Sequence, residues 1–134
     1  MATFLLDTSV LIDVLNGKRG RGTLLRNLIA EGHILACCPI NVSEVYAGMR
    51  PREEARTTAL LRSLEYFPIT FSVAELAGLL KRDYGKRGRT LSLTDTTIAA
   101  VAIHHQLTLI TDNTKDFPMK DLRVYSAPAD LTLL

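Results

Sequence analysis

Apolar residues fall along this chain in two alternating rhythms. Short runs of strand length occupy positions 4–6, 34–38, 67–70, 107–110 and 122–125. Most of the stretches between them carry apolar side chains at the three- and four-residue spacing of an amphipathic helix. Strands that alternate with helices pair in parallel, because each helix returns the chain to the same end of the sheet. The pattern therefore predicts an α/β fold around a central, mainly parallel sheet of about five strands. Local punctuation agrees: Gly17 and Gly32 as helix stops, Pro39 and Pro51 as first-turn residues, and Ser72 with Glu75 as a capping box.

Length and charge narrow the picture. With 134 residues the chain can bury one substantial core and is short for two, so a single domain over 1–134 is expected. No internal repeat, low-complexity tract or linker interrupts it. Sixteen Lys+Arg against fourteen Asp+Glu leave a net charge of only +2, so a nucleic-acid surface would have to be local. Two glycine-bearing basic stretches, GKRGRG from Gly17 and GKRGR from Gly85, offer such local charge. Cys37 and Cys38 are adjacent in an apolar run and read as buried, reduced thiols. No apolar run approaches the roughly 20 residues of a membrane span and no basic-then-apolar leader opens the chain, so a soluble, cytoplasmic protein is expected.

The acids carry the candidate chemistry. In FLLDTSVLID the first apolar run ends at Asp7, and Thr8 and Ser9 are placed to cap the helix that follows. Asp112 follows the run at 107–110 with Asp116 one turn on, Glu44 lies about two turns into the helix beginning near Pro39, and Asp95 stands in SLTDTTIAAVAI at the start of another helix. In a parallel sheet all these positions lie at the carboxyl edge, where α/β proteins place their sites. Each also has a structural explanation: Ser92 to Asp95 fits a capping box, Asp112–Asn113 a turn, and Glu44 an exposed helical position. Taken together, several carboxylates converging on one edge repel unless a cation neutralises them. An all-oxygen set points to Mg²⁺ or Mn²⁺ rather than zinc, and His33, His104 and His105 have no competing ligand spacing.

The succession FLLDTSVLID, INVSEVYAG, LSLTDTTIAAVA and LITDNTKDF, in that order over the whole chain, resembles the PIN-domain ribonucleases, most closely the VapC-type toxins of bacterial toxin–antitoxin pairs. The resemblance implies a three-layer α/β/α domain and endonucleolytic cleavage of RNA, tRNA among the candidates, dependent on Mg²⁺ or Mn²⁺ and leaving 5′-phosphate and 3′-hydroxyl ends. It implies Asp7, Glu44 and Asp95 as metal-site acids, with Asp112 or Asp116 as the fourth; position at the strand end slightly favours Asp112. Thr8 and Thr111 would orient carboxylates or a metal-bound water. A VapB-type antitoxin laid over the acidic pocket and a homodimeric state are further implications. Candidate phosphate contacts are Lys18, Arg19 and Arg21; Lys81, Arg82, Lys86, Arg87 and Arg89, with Tyr84 as a stacking platform; and Arg50 with Arg52.

Other readings fit less well. An aspartate-type phosphotransfer enzyme using Mg²⁺ would want a second aspartate two residues after the first, where Ser9 stands, and a receiver-type phosphoacceptor would want one ending the run at 67–70. A histidine ribonuclease needs two separated imidazoles, and His104 and His105 are neighbours. A catalytically silent PIN-fold binding module would have no need to keep every acid position.

Overall fold

The structure, a computed structural model, describes residues 1–128. Five strands, β1 (Thr3–Leu6), β2 (Ile34–Cys37), β3 (Glu65–Tyr66), β4 (Thr108–Thr111) and β5 (Arg123–Ser126), form one sheet in the order β3-β2-β1-β4-β5, with every pairing parallel. The helices are α1 (Thr8–Leu15), α2 (Arg21–Ala30), α3 (Pro39–Gly48), α4 (Glu54–Arg62), α5 (Phe71–Lys86) and α6 (Leu93–His105), with 3-10 turns at Pro51–Glu53 and Thr114–Asp116. From β1 the chain builds outward to β2 and β3, then crosses to the other side of β1 to lay down β4 and β5. The carboxyl ends of β1 and β4 therefore flank the point where strand order reverses, and there the diverging connections open a crevice.

Successive strand residues face opposite sides of a sheet, and the apolar residues divide accordingly. Phe4, Leu6, Leu35 and Ile110 pack with Val10, Leu11, Leu24, Val45 and Leu61 in the layer formed by α1 to α4. Leu5, Ala36 and Leu109 pack with Val73, Ala77 and the run Ile98, Ala99, Ala100, Val101, Ala102 in the layer formed by α5 and α6. The result is the expected three-layer α/β/α arrangement. Because α6 is lined with small residues it lies close to the sheet and is buried along most of its length, which carries its amino end and Asp95 to the sheet edge. Both thiols, Cys37 and Cys38, are free and buried, and among the described residues no helix is long and apolar enough to cross a membrane.

Several boundaries depart from the sequence reading. The run at 67–70 is not a strand; β3 is the two residues before it, paired Ala36 to Glu65 and Cys37 to Tyr66. Pro68 has no N–H to continue the ladder, and Thr70 is already the N-cap of α5, its hydroxyl accepting from the Val73 amide at 3.3 Å. Ser72 thus lies within the first turn of α5 and does not cap it. The last two strands sit one residue later than their apolar runs, at Thr108–Thr111 and Arg123–Ser126. Leu107 and Leu122 spend their amides on turns, bonding Ala102 and Met119 carbonyls, so pairing begins after them. The basic stretches are partly helical: α2 begins at Arg21 and α5 runs through Lys86.

Candidate active site

Asp7 is the residue at which β1 becomes α1. Its backbone is extended (φ −65°, ψ 150°), its amide still bonds the Ile110 carbonyl of β4 at 2.9 Å, and its own carbonyl accepts the Val10 amide of α1. It is therefore the N-cap of α1. Thr8, assigned a capping role from sequence, is the first helical residue instead, and the Ser9 hydroxyl is buried without a partner. The Asp7 side chain, only 7% exposed, accepts the Thr8 amide at 2.9 Å and the Thr111 hydroxyl at 2.7 Å. Burial pushes its carboxyl above the ordinary aspartate range; the two hydrogen bonds oppose that rise, while the charges of Asp95 and Glu44 add to it.

Two threonines hold the acids in fixed directions. The Thr8 hydroxyl donates to Glu44 at 2.7 Å and accepts from the Asn41 amide group at 3.2 Å, while the Asn41 carbonyl oxygen takes the Cys38 amide at 2.9 Å. The Thr111 hydroxyl donates to Asp7 and accepts the Asn113 amide at 2.9 Å. In both cases an N–H fills the acceptor side of the hydroxyl and leaves its proton for the carboxylate. α3 starts at Pro39, directly after β2, and so leans Glu44 over the same edge. Asp95 enters from α6, whose N-cap Ser92 accepts the Asp95 amide at 3.0 Å, as the capping pattern predicts. Desolvation raises the Asp95 carboxyl as well, countered by Ser92 and reinforced by the charges of Asp116 and Glu44.

The two alternatives for the fourth acid part company here. Thr111 shares a sheet face with Leu109, the face covered by α5 and α6, so the next residue, Asp112, turns to the opposite face. There it meets the amino end of α2. One Asp112 oxygen is bonded by Arg21 and the other lies 3.2 Å from Arg19. Arg21 is 1% exposed, donates to the Pro128 carbonyl at 2.6 Å and faces Asp13 at 3.6 Å. Arg21 is thus an internal cation tying α1 to the segments after β4 and β5, not the phosphate contact its basic loop suggested. Asp116, at the end of the 3-10 turn after β4, is the acid whose charge reaches Asp95.

Asn41 and Asp13 escaped the sequence reading. A buried Asn three residues before Glu44 shares its helical face, and that spacing was the available signal; Arg21 gave none, since it differs in no way from its exposed neighbours. Tyr84 is not a free stacking platform: Arg87 lies 4.1 Å over its ring and its hydroxyl donates to the Pro118 carbonyl at 3.1 Å. Lys81 is tied to the Leu91 carbonyl, Arg82 to Asp83 and Arg89 to the Lys115 carbonyl.

The donor set suits a hard cation. It is all oxygen, and its most buried member, Asp7, is a carboxylate raised by burial whose ionisation added positive charge would favour. Among the described residues no three acids, histidines or cysteines are gathered tightly enough to form a finished ligand cluster. The acids are linked through charge and through the two threonines.

A model of the PIN domain family matches residues 4–121. Ribonuclease VapC19 of Mycobacterium tuberculosis is 33% identical over 115 residues, covering 86% of this chain and 92% of that protein. A toxin–antitoxin complex from Klebsiella pneumoniae contains a chain of 33% identity with a TM-score of 0.75, covering 94% of this chain and 97% of that one. VapBC2 from Rickettsia felis, solved bound to a DNA fragment from its promoter, shares the fold with a TM-score of 0.83 at 21% identity, over 94% of this chain and 99% of that one.

Proposed function

We propose, from the premise that this chain belongs to the PIN-domain family and within it to the VapC ribonucleases, that it cleaves RNA endonucleolytically with Mg²⁺ or Mn²⁺ as the toxin of a toxin–antitoxin pair. One observation carries the reading. A buried carboxylate, Asp7, ends the central strand at the reversal of strand order, and the charges of Asp95 and Glu44 act on it. A fold in which Asp7 served only as a helix cap would have no reason to bring the charges of two further acids within its reach.

Asp7, Glu44, Asp95 and Asp116 are the residues that would hold the ion; Asp112, engaged by two guanidinium groups on the other sheet face, supports the edge instead. When bound, the ion supplies an activated water and neutralises charge on the scissile phosphate. The protein's own contribution is orientation. Thr111 and Thr8 fix the carboxylates of Asp7 and Glu44 before substrate arrives, so little reorganisation is left to the reaction. Asp95, with its carboxyl raised by desolvation and less buried than Asp7, is the acid suited to take a proton from water.

The partner is proposed to be a VapB-type antitoxin, by analogy with relatives solved as toxin–antitoxin complexes, and the working unit a homodimer. A cavity of about 440 Å³ between α2 and α4, lined by Leu25, Ile29, Leu60 and Leu64, offers an apolar seat for a partner segment. The test is to incubate the purified chain with tRNAs and other defined RNAs, with and without Mg²⁺, and map the ends. Wild type should leave 5′-phosphate and 3′-hydroxyl ends only with the ion, and Asp7→Asn and Asp95→Asn should each lose cleavage by orders of magnitude. Near wild-type cutting by either variant, or none by wild type, would refute the reading.

A further inference from the structure

Thr8 and Glu44 meet where α1 and α3 run side by side. One turn further along each helix, at Ile12 and Gly48, the seam opens into a cavity of about 670 Å³. Residues four apart lie on one helical face, so the cavity continues the stripe that carries the acids. Its far rim is strongly basic. Lys18 comes from the loop after α1, and Arg50, Arg52 and Arg56 from the turn and helix after α3, against a single acid, Glu53.

Glu53 arranges these cations without cancelling them. It is half-buried, accepts the Arg50 amide at 3.0 Å, and lies 4.0 Å from the Arg50 and 3.7 Å from the Arg56 guanidinium. Arg50 and Arg56 remain 71% and 63% exposed, with donors free for another anion. Lys18 and Arg52 are exposed and form no ion pair among the described residues. By contrast, two arginines of the α5–α6 connection are engaged within the chain, Arg87 over the Tyr84 ring and Arg89 on the Lys115 carbonyl. In a chain of net charge +2, the α1–α3 seam gathers four exposed cations around one acid.

Resting on the ribonuclease reading, we infer that this basic groove holds the sugar–phosphate backbone of the RNA on one side of the cut, with Lys18 on one wall and Arg50, Arg52 and Arg56 on the other as phosphate contacts. The groove opens one helical turn beyond Thr8 and Glu44, so a strand lying in it and continuing along the seam presents its next phosphodiester to the acids. An acidic protein segment is the competing occupant by charge. The polar, cation-rimmed groove fits a repeating phosphate backbone, whereas the apolar cavity between α2 and α4 fits side chains.

Binding separates the possibilities. A fluorescein-labelled, mixed-sequence 20-nucleotide RNA is titrated in EDTA, so that nothing is cut, with the full chain as wild type, Arg50→Gln/Arg52→Gln, Lys18→Gln, and Lys86→Gln/Arg87→Gln; melting curves check that each variant is folded. Each phosphate contact on a single strand contributes about 0.7 to the slope of log K against log salt. The Arg50/Arg52 variant should therefore lose about 1.4 of that slope and Lys18→Gln about 0.7, with at least tenfold weaker binding for the double variant at low salt and a raised KM at unchanged kcat once Mg²⁺ is restored. Wild-type slope and affinity in the groove variants, or loss confined to the Lys86/Arg87 variant, would overturn the groove while leaving the ribonuclease reading intact. Equal displacement of the RNA by a polyglutamate 20-mer would overturn its assignment to RNA. A wild-type chain without RNA affinity would overturn the ribonuclease reading and the groove with it.

Discussion

At Asp7 two demands on one side chain conflict. As the N-cap of α1 it is welcome, since a helix amino end favours negative charge; buried and facing Asp95 and Glu44, it is penalised. The penalty is larger, and its consequence for stability has a definite sign. A carboxyl whose folded value lies above its unfolded value contributes stability that is complete below the unfolded value and is lost as pH rises through the folded one. In EDTA, Asp7→Asn should therefore melt a few degrees above wild type at pH 7, and the gap should close as pH falls to the ordinary aspartate range. Melting curves of both proteins between pH 4 and 7 test this; a gap independent of pH would mean that the Asp7 charge is not what burdens the fold.

Between elements, the junction of β4 with α2 decides what Asp112 does. Its carboxylate neutralises the buried Arg21, which also holds Pro128 beyond β5 and faces Asp13 in α1. Hydrogen bonds to a buried charge are worth about 1.5–3 kcal/mol each, so Asp112→Asn should lower unfolding free energy by about 2 kcal/mol. It should keep most of its cleavage rate per folded molecule. Asp116→Asn should do the reverse, with stability near wild type and cleavage down by orders of magnitude. Urea unfolding beside cleavage assays on both variants distinguishes them, and wild-type stability with lost cleavage in Asp112→Asn would return Asp112 to the site.

Across the whole molecule, the acids come from four separate crossings of one sheet edge, so they converge only in the folded chain. A cation that binds there binds the native state alone and stabilises it by mass action, about 2.7 kcal/mol at a hundredfold excess over Kd. Millimolar Mn²⁺ should accordingly raise the melting midpoint of wild type by several degrees and leave that of Asp7→Asn nearly unchanged. Equal shifts in both would place the binding elsewhere, and no shift in wild type would favour a silent binding module.

Much of this was readable in the chain itself, because it depends on neighbours in sequence. Period-two and period-3.6 runs set the alternation of strand and helix; Pro39, Gly17, Gly32 and Ser92 mark helix ends through local backbone chemistry; and Asp7, Glu44 and Asp95 could be picked out because each lies a short, fixed distance from such an end. What depended on partners distant in sequence could not be read. Pairing of β1 with β4 brings the Thr111 hydroxyl to Asp7 across 104 residues, and nothing local to either residue announces it. The face on which Asp112 lies follows from alternation along β4, whose register is set by the pairing of Thr108 with Phe4. Arg21 became an internal cation for the same reason: its partners, Asp13 in α1, Asp112 after β4 and Pro128 after β5, meet only once the sheet has formed.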